Sequence, residues 1–230
     1  MKYLNYLILT LFVLTCSACS TIRVPEDFST KKYPKKGILL ASTSIPNFEE
    51  TVGFSLLYHI HQVEVSDQTA GYDNTNYVRL EVAQRGEDSD FADADGNVHA
   101  WALTPGTYEL TRWSLSTGYN KFIHPKPLKP ITFEITPGHI TYLGNIHMNN
   151  SYGKNIFGIA LARGGLVSFH NEFDRDFQAL MTKRPNIEVL PVVDQVPDTP
   201  IWLPVGFSLK PHENQSKVAG DGKENAQNQP

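Results

Sequence analysis

Cysteine is almost missing from this chain. The 230 residues contain two, Cys16 and Cys19, both at the end of an N-terminal apolar segment. A secreted domain stapled by disulfides carries cysteines through its body. This body has none, so packing and hydrogen bonding must hold it. An excess of one charge is lacking too: 20 Lys and Arg face 24 Asp and Glu, a formal net charge of -4. No basic surplus argues for nucleic acid, and no acidic run argues for a solvating tail. Local catalytic signatures are also missing. There is no Gly-x-Ser-x-Gly elbow, no His-Glu-x-x-His, no phosphate-cradling glycine loop, and no thiol in the body. Gly164-Gly165 stands without the rest of a nucleotide fingerprint. Neither an enzyme class nor a cofactor is indicated, although a catalytic set assembled across the fold would leave no such trace.

What the chain has is punctuation. Its 16 Gly and 15 Pro are spread through a globular composition, 40% hydrophobic and 19% charged. That pattern predicts short strands and turns rather than long helices. With the two ends set aside, roughly 170 residues remain, about one domain.

The N-terminus reads as an export signal. Lys2 supplies a positive start, Leu7 to Leu14 is apolar except for Thr10, and small residues Ser17 and Ala18 precede Cys19. The run is shorter than the ~20 residues of a membrane span. Ser17, Ala18 and Cys19 resemble the lipobox of bacterial lipoproteins, whose cysteine is diacylated and becomes the new N-terminus. Cys16 stands where that family usually has Leu. The competing lipidation site is Cys16 itself, behind Val13, Leu14 and Thr15. The resemblance implies a signal peptide over 1–18 and lipid on Cys19. With Ser20 rather than Asp next, it implies the outer membrane of a Gram-negative envelope.

Residues 19–36 then read as a lipidated tether with a reach of about 55–60 Å. Lys31, Lys32, Lys35 and Lys36 form a basic cluster within it, either solvated or resting on anionic head groups.

From Gly37 a period of two dominates. Strands are expected over Gly37–Ser44, Val52–Val65, Tyr77–Ala83, Asn97–Leu103, Thr107–Leu115, Ile131–Ile135, His139–Met148 and Lys154–Ala162. Ile187–Val193 is either a last strand or an extended segment. Pro105-Gly106 and Pro137-Gly138 each mark a turn between strands. One helix is expected over about 171–184, capped by Asn171 and carrying the stripe Phe173, Phe177, Leu180, Met181. Glu172, Asp174 and Asp176 complement its dipole at the start.

Asp93 to Trp113, with Asp95-Gly96 and Pro105-Gly106-Thr107-Tyr108, resembles transthyretin-like and carboxypeptidase-regulatory-like β-sandwich domains. The stretch from Phe133 to Ile146 is similar to the corresponding strand pair of many envelope lipoproteins. The resemblance implies a mainly β, mostly antiparallel sandwich over 37–193, with no catalytic set to carry over. A Pro-rich extension over 194–209, with an exposed-looking Trp202, and a disordered tail over 210–230 would follow.

Three constellations could carry chemistry. His59-x-His61 puts two imidazoles on one strand face, with His99, His139 or His147 as a third metal ligand, or simply two half-exposed histidines. Asp88, Asp90, Asp93, Asp95 and Asn97 form an oxygen-rich loop. Phe91 and Ala102 stand where an EF-hand needs ligands, so it reads as a calcium site of another kind or a solvated loop. Trp101, Trp113 and Trp202 offer either binding surface or core. No metal is assigned to any of these. The expected function is a membrane-anchored, non-catalytic binding or scaffolding lipoprotein with envelope proteins or polymers as partners. A small-ligand or metal-binding module and a hydrolase with a spatially assembled site are the alternatives.

Overall fold

One strand, Gly37–Ile45 (β2), is buried along its whole length. A strand that reads Ile-Leu-Leu-Ala without polar alternation needs cover on both faces, and the fold supplies it. The computed structural model describes residues 22–46, 54–63, 77–81, 89–117, 121–123 and 126–207. The signal segment, Cys16, Cys19, Asp88 and the tail over 210–230 lie outside them.

The remaining elements are β1 (Ile22–Arg23), β3 (Phe54–Gln62), β4 (Tyr77–Glu81), β5 (Asp95–Leu103), β6 (Gly106–Thr117), β7 (Lys121–Ile123), β8 (Ile131–Ile135), β9 (Ile140–Lys154), β10 (Ala160–His170), α1 (Phe173–Lys183) and β11 (Val192–Asp194). One sheet runs β1-β5-β2-β9-β10, with β11 beside the start of β9. It is mixed, because β1/β5, β2/β9 and β11/β9 pair in parallel. The other, β4-β3-β6-β7 with β8 also on β6, is antiparallel throughout. The chain is thus mainly β. The expectation of a mostly antiparallel fold holds for one sheet and fails at three pairings of the other.

Between the sheets lies one apolar cluster. It takes Leu39, Ala41 and Ile45 from β2, Leu56, Tyr58 and Ile60 from β3, and Tyr108, Leu110 and Trp113 from β6. Tyr58 is fully buried there, and burial pushes its phenol pKa upward. Its hydroxyl has no hydrogen-bond partner among the described residues. A buried unpaired hydroxyl costs about 1–3 kcal/mol. Tyr58→Phe should therefore stabilise the fold by about 1 kcal/mol, raising the melting midpoint by about 2–4 °C. A calorimetric midpoint that falls would contradict this.

A second cluster covers the far face of the mixed sheet. Ile38, Leu40, Val98, Ala100 and Tyr142 meet Leu180 of α1 and Ile22, Val24 and Phe28. The expected tether is corrected here. From Ile22 onward it is part of the folded body: Ile22, Val24 and Phe28 are at most 4% exposed, and Phe28 stacks on Tyr33 at 5.2 Å. Arg184 donates to the carbonyls of Val24 and Ile22 at 3.4 and 3.5 Å. Three apolar side chains spaced along a Pro-containing stretch outweigh its charge. Lys31, Lys32 and Lys35 stay exposed on its outside, Lys32 paired with Asp27.

The C-terminal extension is corrected in the same way. Residues 197–207 are tied to the body by backbone bridges from Ile201 to Ser168 of β10 and from Pro204 to Leu128, just before β8. Trp202 is 5% exposed, sits by Phe169, and donates its indole N–H to the Lys129 carbonyl at 2.7 Å.

Both Pro-Gly turns do more than close hairpins. Pro105-Gly106 carries the chain from β5 in the mixed sheet to β6 in the other, and Pro137-Gly138 carries it back from β8 to β9. Gly106 and Gly138 take φ of 141° and 68°, as a Pro-Gly corner requires. The predicted strand Lys154–Ala162 is instead the end of β9, a five-residue turn and the start of β10. Gly164-Gly165 lies within β10, beside a register shift. Among the described residues no helix is long and apolar enough to cross a bilayer.

Candidate functional site

The second half of β2 turns polar while staying buried: Ser42, Thr43 and Ser44 are at most 1% exposed. Buried hydroxyls need partners, and β9 and α1 provide them. A bulge in β9 sets this up. Leu40 pairs with Tyr142 and Ser42 with Asn145, so β9 holds one extra residue, at Leu143–Gly144. Gly144 takes φ of 92°, and a side chain there would meet the His170 carbonyl. The extra residue rephases the alternation. Leu143, Ile146 and Met148 face the inter-sheet core. Tyr142, Asn145 and His147 share the other face with Ser42 and Ser44.

There they join one network. Asp176, fully buried on α1, accepts from Ser42 Oγ at 2.6 Å and Tyr142 Oη at 2.8 Å. Its other oxygen takes Arg175 Nε and Nη2 at 3.0 and 2.8 Å. The Arg175 guanidinium lies 3.9 Å over the Phe91 ring. Asn145 Nδ2 donates to Ser42 at 2.8 Å, and Ser44 Oγ contacts Asn145 Oδ1 at 2.9 Å and His147 Nδ1 at 2.8 Å.

Donor counting fixes the direction of this chain. The Asp176 carboxylate only accepts, so the Ser42 proton goes to it. Ser42 must then accept from Asn145 Nδ2, which leaves Asn145 Oδ1 to accept the Ser44 proton. His147 Nδ1 must therefore carry the hydrogen in its bond to Ser44. The Ser44 hydroxyl, with its single proton committed to Asn145, is not a nucleophile activated by His147. Asp176 orders the serines rather than the imidazole, the reverse of a Ser-His-Asp triad.

The network ends at an open cleft of about 460 Å³, lined by Ser44, Asp93, Asn149, Ser168, His170, Glu172 and Arg175 among others. His147 and His170 stand nearly perpendicular there, ring centroids 6.0 Å apart, and His170 Nε2 meets Ser168 Oγ at 2.8 Å. Burial holds the His147 pKa below its usual value. The charge of His170 adds to this, and a hydrogen bond with the Asn149 side chain opposes it. Burial, and then the Asp176 charge, push the Tyr142 phenol well upward. A neutral imidazole, a guanidinium, amides, hydroxyls and two carboxylates around one opening suit a small polar ligand presenting both donors and acceptors.

The constellations named from sequence fare differently. His59 is buried on β3, in backbone register with Arg79 and Arg112. His61 faces Glu109 at 3.7 Å. The proposed third ligands stand elsewhere: His99 in β5 against Thr43 at 2.7 Å, His139 on the Pro137 carbonyl, and His147 in the cleft. Among the described residues no group of three or more His, Cys, Asp or Glu is placed to hold a metal. In the Asp-rich loop, Asp93 is exposed while Asp95 and Asn97 are buried. Asp90 binds Lys183 Nζ at 2.6 Å and the Val98 amide at 2.8 Å, clamping the loop to α1. Trp113 and Trp202 belong to the core, and Trp101 lies under the Arg23 guanidinium at 4.5 Å.

No known family, characterised protein or solved structure matches the chain. The site is therefore read from its geometry alone. The residue that sequence reasoning missed is Asp176, taken as a dipole-complementing acid. Its signal was its place on the helix face: three residues after Phe173 and four before Leu180, it belongs to the packed side.

Proposed function

We propose that the chain is a lipid-anchored envelope lipoprotein displaying a non-catalytic binding or scaffolding domain. The two-sheet body is read as a transthyretin- or immunoglobulin-like sandwich, and envelope proteins or polymers are its partners. One observation carries this reading: Ile22, only three positions after Cys19, already has its side chain buried in the fold. Cleavage before Cys19 would remove the apolar leader and leave the described fold whole. Only Ser20 and Thr21 would separate the lipid from the body, a span of about 10 Å against about 20 Å from Cys16. The domain would then sit flush on its membrane, the outer membrane if Ser20 directs sorting.

The intact mass of membrane-extracted protein tests this. Residues 19–230 plus acyl chains are expected, with acylation lost in Cys19→Ala. An unacylated mass, or acylation at Cys16, would overturn the assignment. The cleft beside His147 favours a second reading, a small-ligand module using that site and not the His59/His61 face.

A further inference from the structure

We propose that the tip of the β9–β10 hairpin is a membrane-contacting element that inserts Ile156 and Phe157 into a lipid surface bearing anionic head groups. β9 outruns its sheet. Its last register pair with β2 is Ser44 with His147, and from Met148 to Lys154 its only strand partner among the described residues is β10. Seven residues of strand carry the turn about 23 Å beyond that pair. At the end stand Ile156, 92% exposed, and Phe157, 80% exposed. No other large apolar side chain among the described residues is as open to solvent.

Four of the five amides of this turn, those of Asn155, Phe157, Gly158 and Ile159, are bonded within it. The amides of Phe157 and Ile159 both donate to Asn155 Oδ1 at 2.9 Å. Gly158 N–H donates to the Asn155 carbonyl at 2.9 Å, and Asn155 N–H to the Ile159 carbonyl at 3.0 Å. Such Asn-centred closure is common in turns, and it lowers the cost of carrying these amides out of water, where each unpaired one is costly. Charge agrees with the same occupant. Lys154 and Arg163, both exposed, flank the tip, and no Asp or Glu occurs between Glu134 and Glu172. Area argues against a protein partner, since a stable interface takes about 800 Å² per side and two side chains on a narrow arm offer far less. An apolar pair between cations on a projecting arm is suited to the boundary between head groups and acyl chains.

Insertion at this tip needs no lipid on Cys19, so the two can be separated. The chain from Ser20 to Pro230 keeps every described residue and lacks both cysteines. It should float with vesicles of equimolar phosphatidylethanolamine and phosphatidylglycerol. Ile156→Ser with Phe157→Ser should reduce the bound fraction at least about tenfold, with circular dichroism and melting unchanged because both side chains are exposed. Lys154→Gln with Arg163→Gln should weaken binding and its salt dependence. Failure of the wild-type chain to float, or equal flotation of the serine variant, would overturn the proposal. So would a serine variant that alters only self-association in sedimentation, which would make the tip a contact between copies. Because the test omits Cys19, its failure leaves the anchor assignment untouched.

Discussion

Replacing Asp176 with alanine should cost about 3 kcal/mol of folding stability, because a fully buried carboxylate that accepts several hydrogen bonds is lost while its partner Arg175 keeps some solvent. The melting midpoint should fall by on the order of 10 °C. The carboxylate is fully buried and accepts from Ser42, Tyr142 and Arg175. Without it, the Ser42 and Tyr142 hydroxyls lose the acceptor for their protons, and the Arg175 guanidinium loses its counter-charge between α1 and the mixed sheet. Asp176→Asn isolates the chemistry from the volume. Its amide group would turn a donor toward Ser42 and Tyr142, which already donate, so it too should destabilise, though with less cavity. Ser42→Ala should lose about 1–2 kcal/mol, since it removes the bond to Asp176 and the one from Asn145 but no charge. Urea titrations of the three variants give the ranking. A loss below about 1 kcal/mol for Asp176→Ala would mean that the network does not order the helix on the sheet.

Acidification should destabilise the fold through His99. Its side chain is 1% exposed against Thr43, and burial, with the charge of Lys183 added, lowers its pKa to about 3. The unfolded chain takes up this proton near pH 6.5, whereas the folded one refuses it until about pH 3. In between, the unfolded state holds more protons, so stability falls as pH drops through that window. The maximal slope from this residue is about 1.4 kcal/mol per pH unit. Depression of His147 acts in the same direction. Carboxylates add their own acid dependence, so the decisive quantity is a difference. His99→Gln should flatten the slope between pH 6 and 4 relative to the wild type, by roughly one proton's worth. Identical slopes would mean that His99 becomes charged inside the fold.

The strands were legible because period-two alternation is a direct imprint of a sheet with one face on a core. Leu56, Tyr58 and Ile60 are buried as that alternation predicts. The Pro-Gly corners were legible as turns, since glycine alone takes their backbone angles at little cost. That they cross between sheets was not, because a turn motif specifies local angles and not which strand comes next. Gly37 shows the missing information: a side chain there would meet the Thr136 carbonyl, a contact between positions about a hundred residues apart. The apolar run Ile156 to Ile159 imitated a buried strand, because hydrophobicity in sequence does not say whether a partner waits. The site was the least legible part. Its phase depends on one inserted residue at Gly144, and its anchor, Asp176, looked like one acid among several in a first helical turn.

The burial of β2 on both faces has a consequence for the order in which the molecule can form. β2 emerges early, yet its neighbours are β5, made some fifty residues later, and β9, whose His147 lies 103 residues beyond Ser44. Until β9 arrives, an apolar strand has an unpaired edge. Contacts of such long range slow folding and prolong exposure of sticky intermediates. A chain growing from its N-terminus would therefore hold its most hydrophobic strand in waiting for most of its synthesis. Holding chaperones should matter more to its yield than the modest size of the domain suggests.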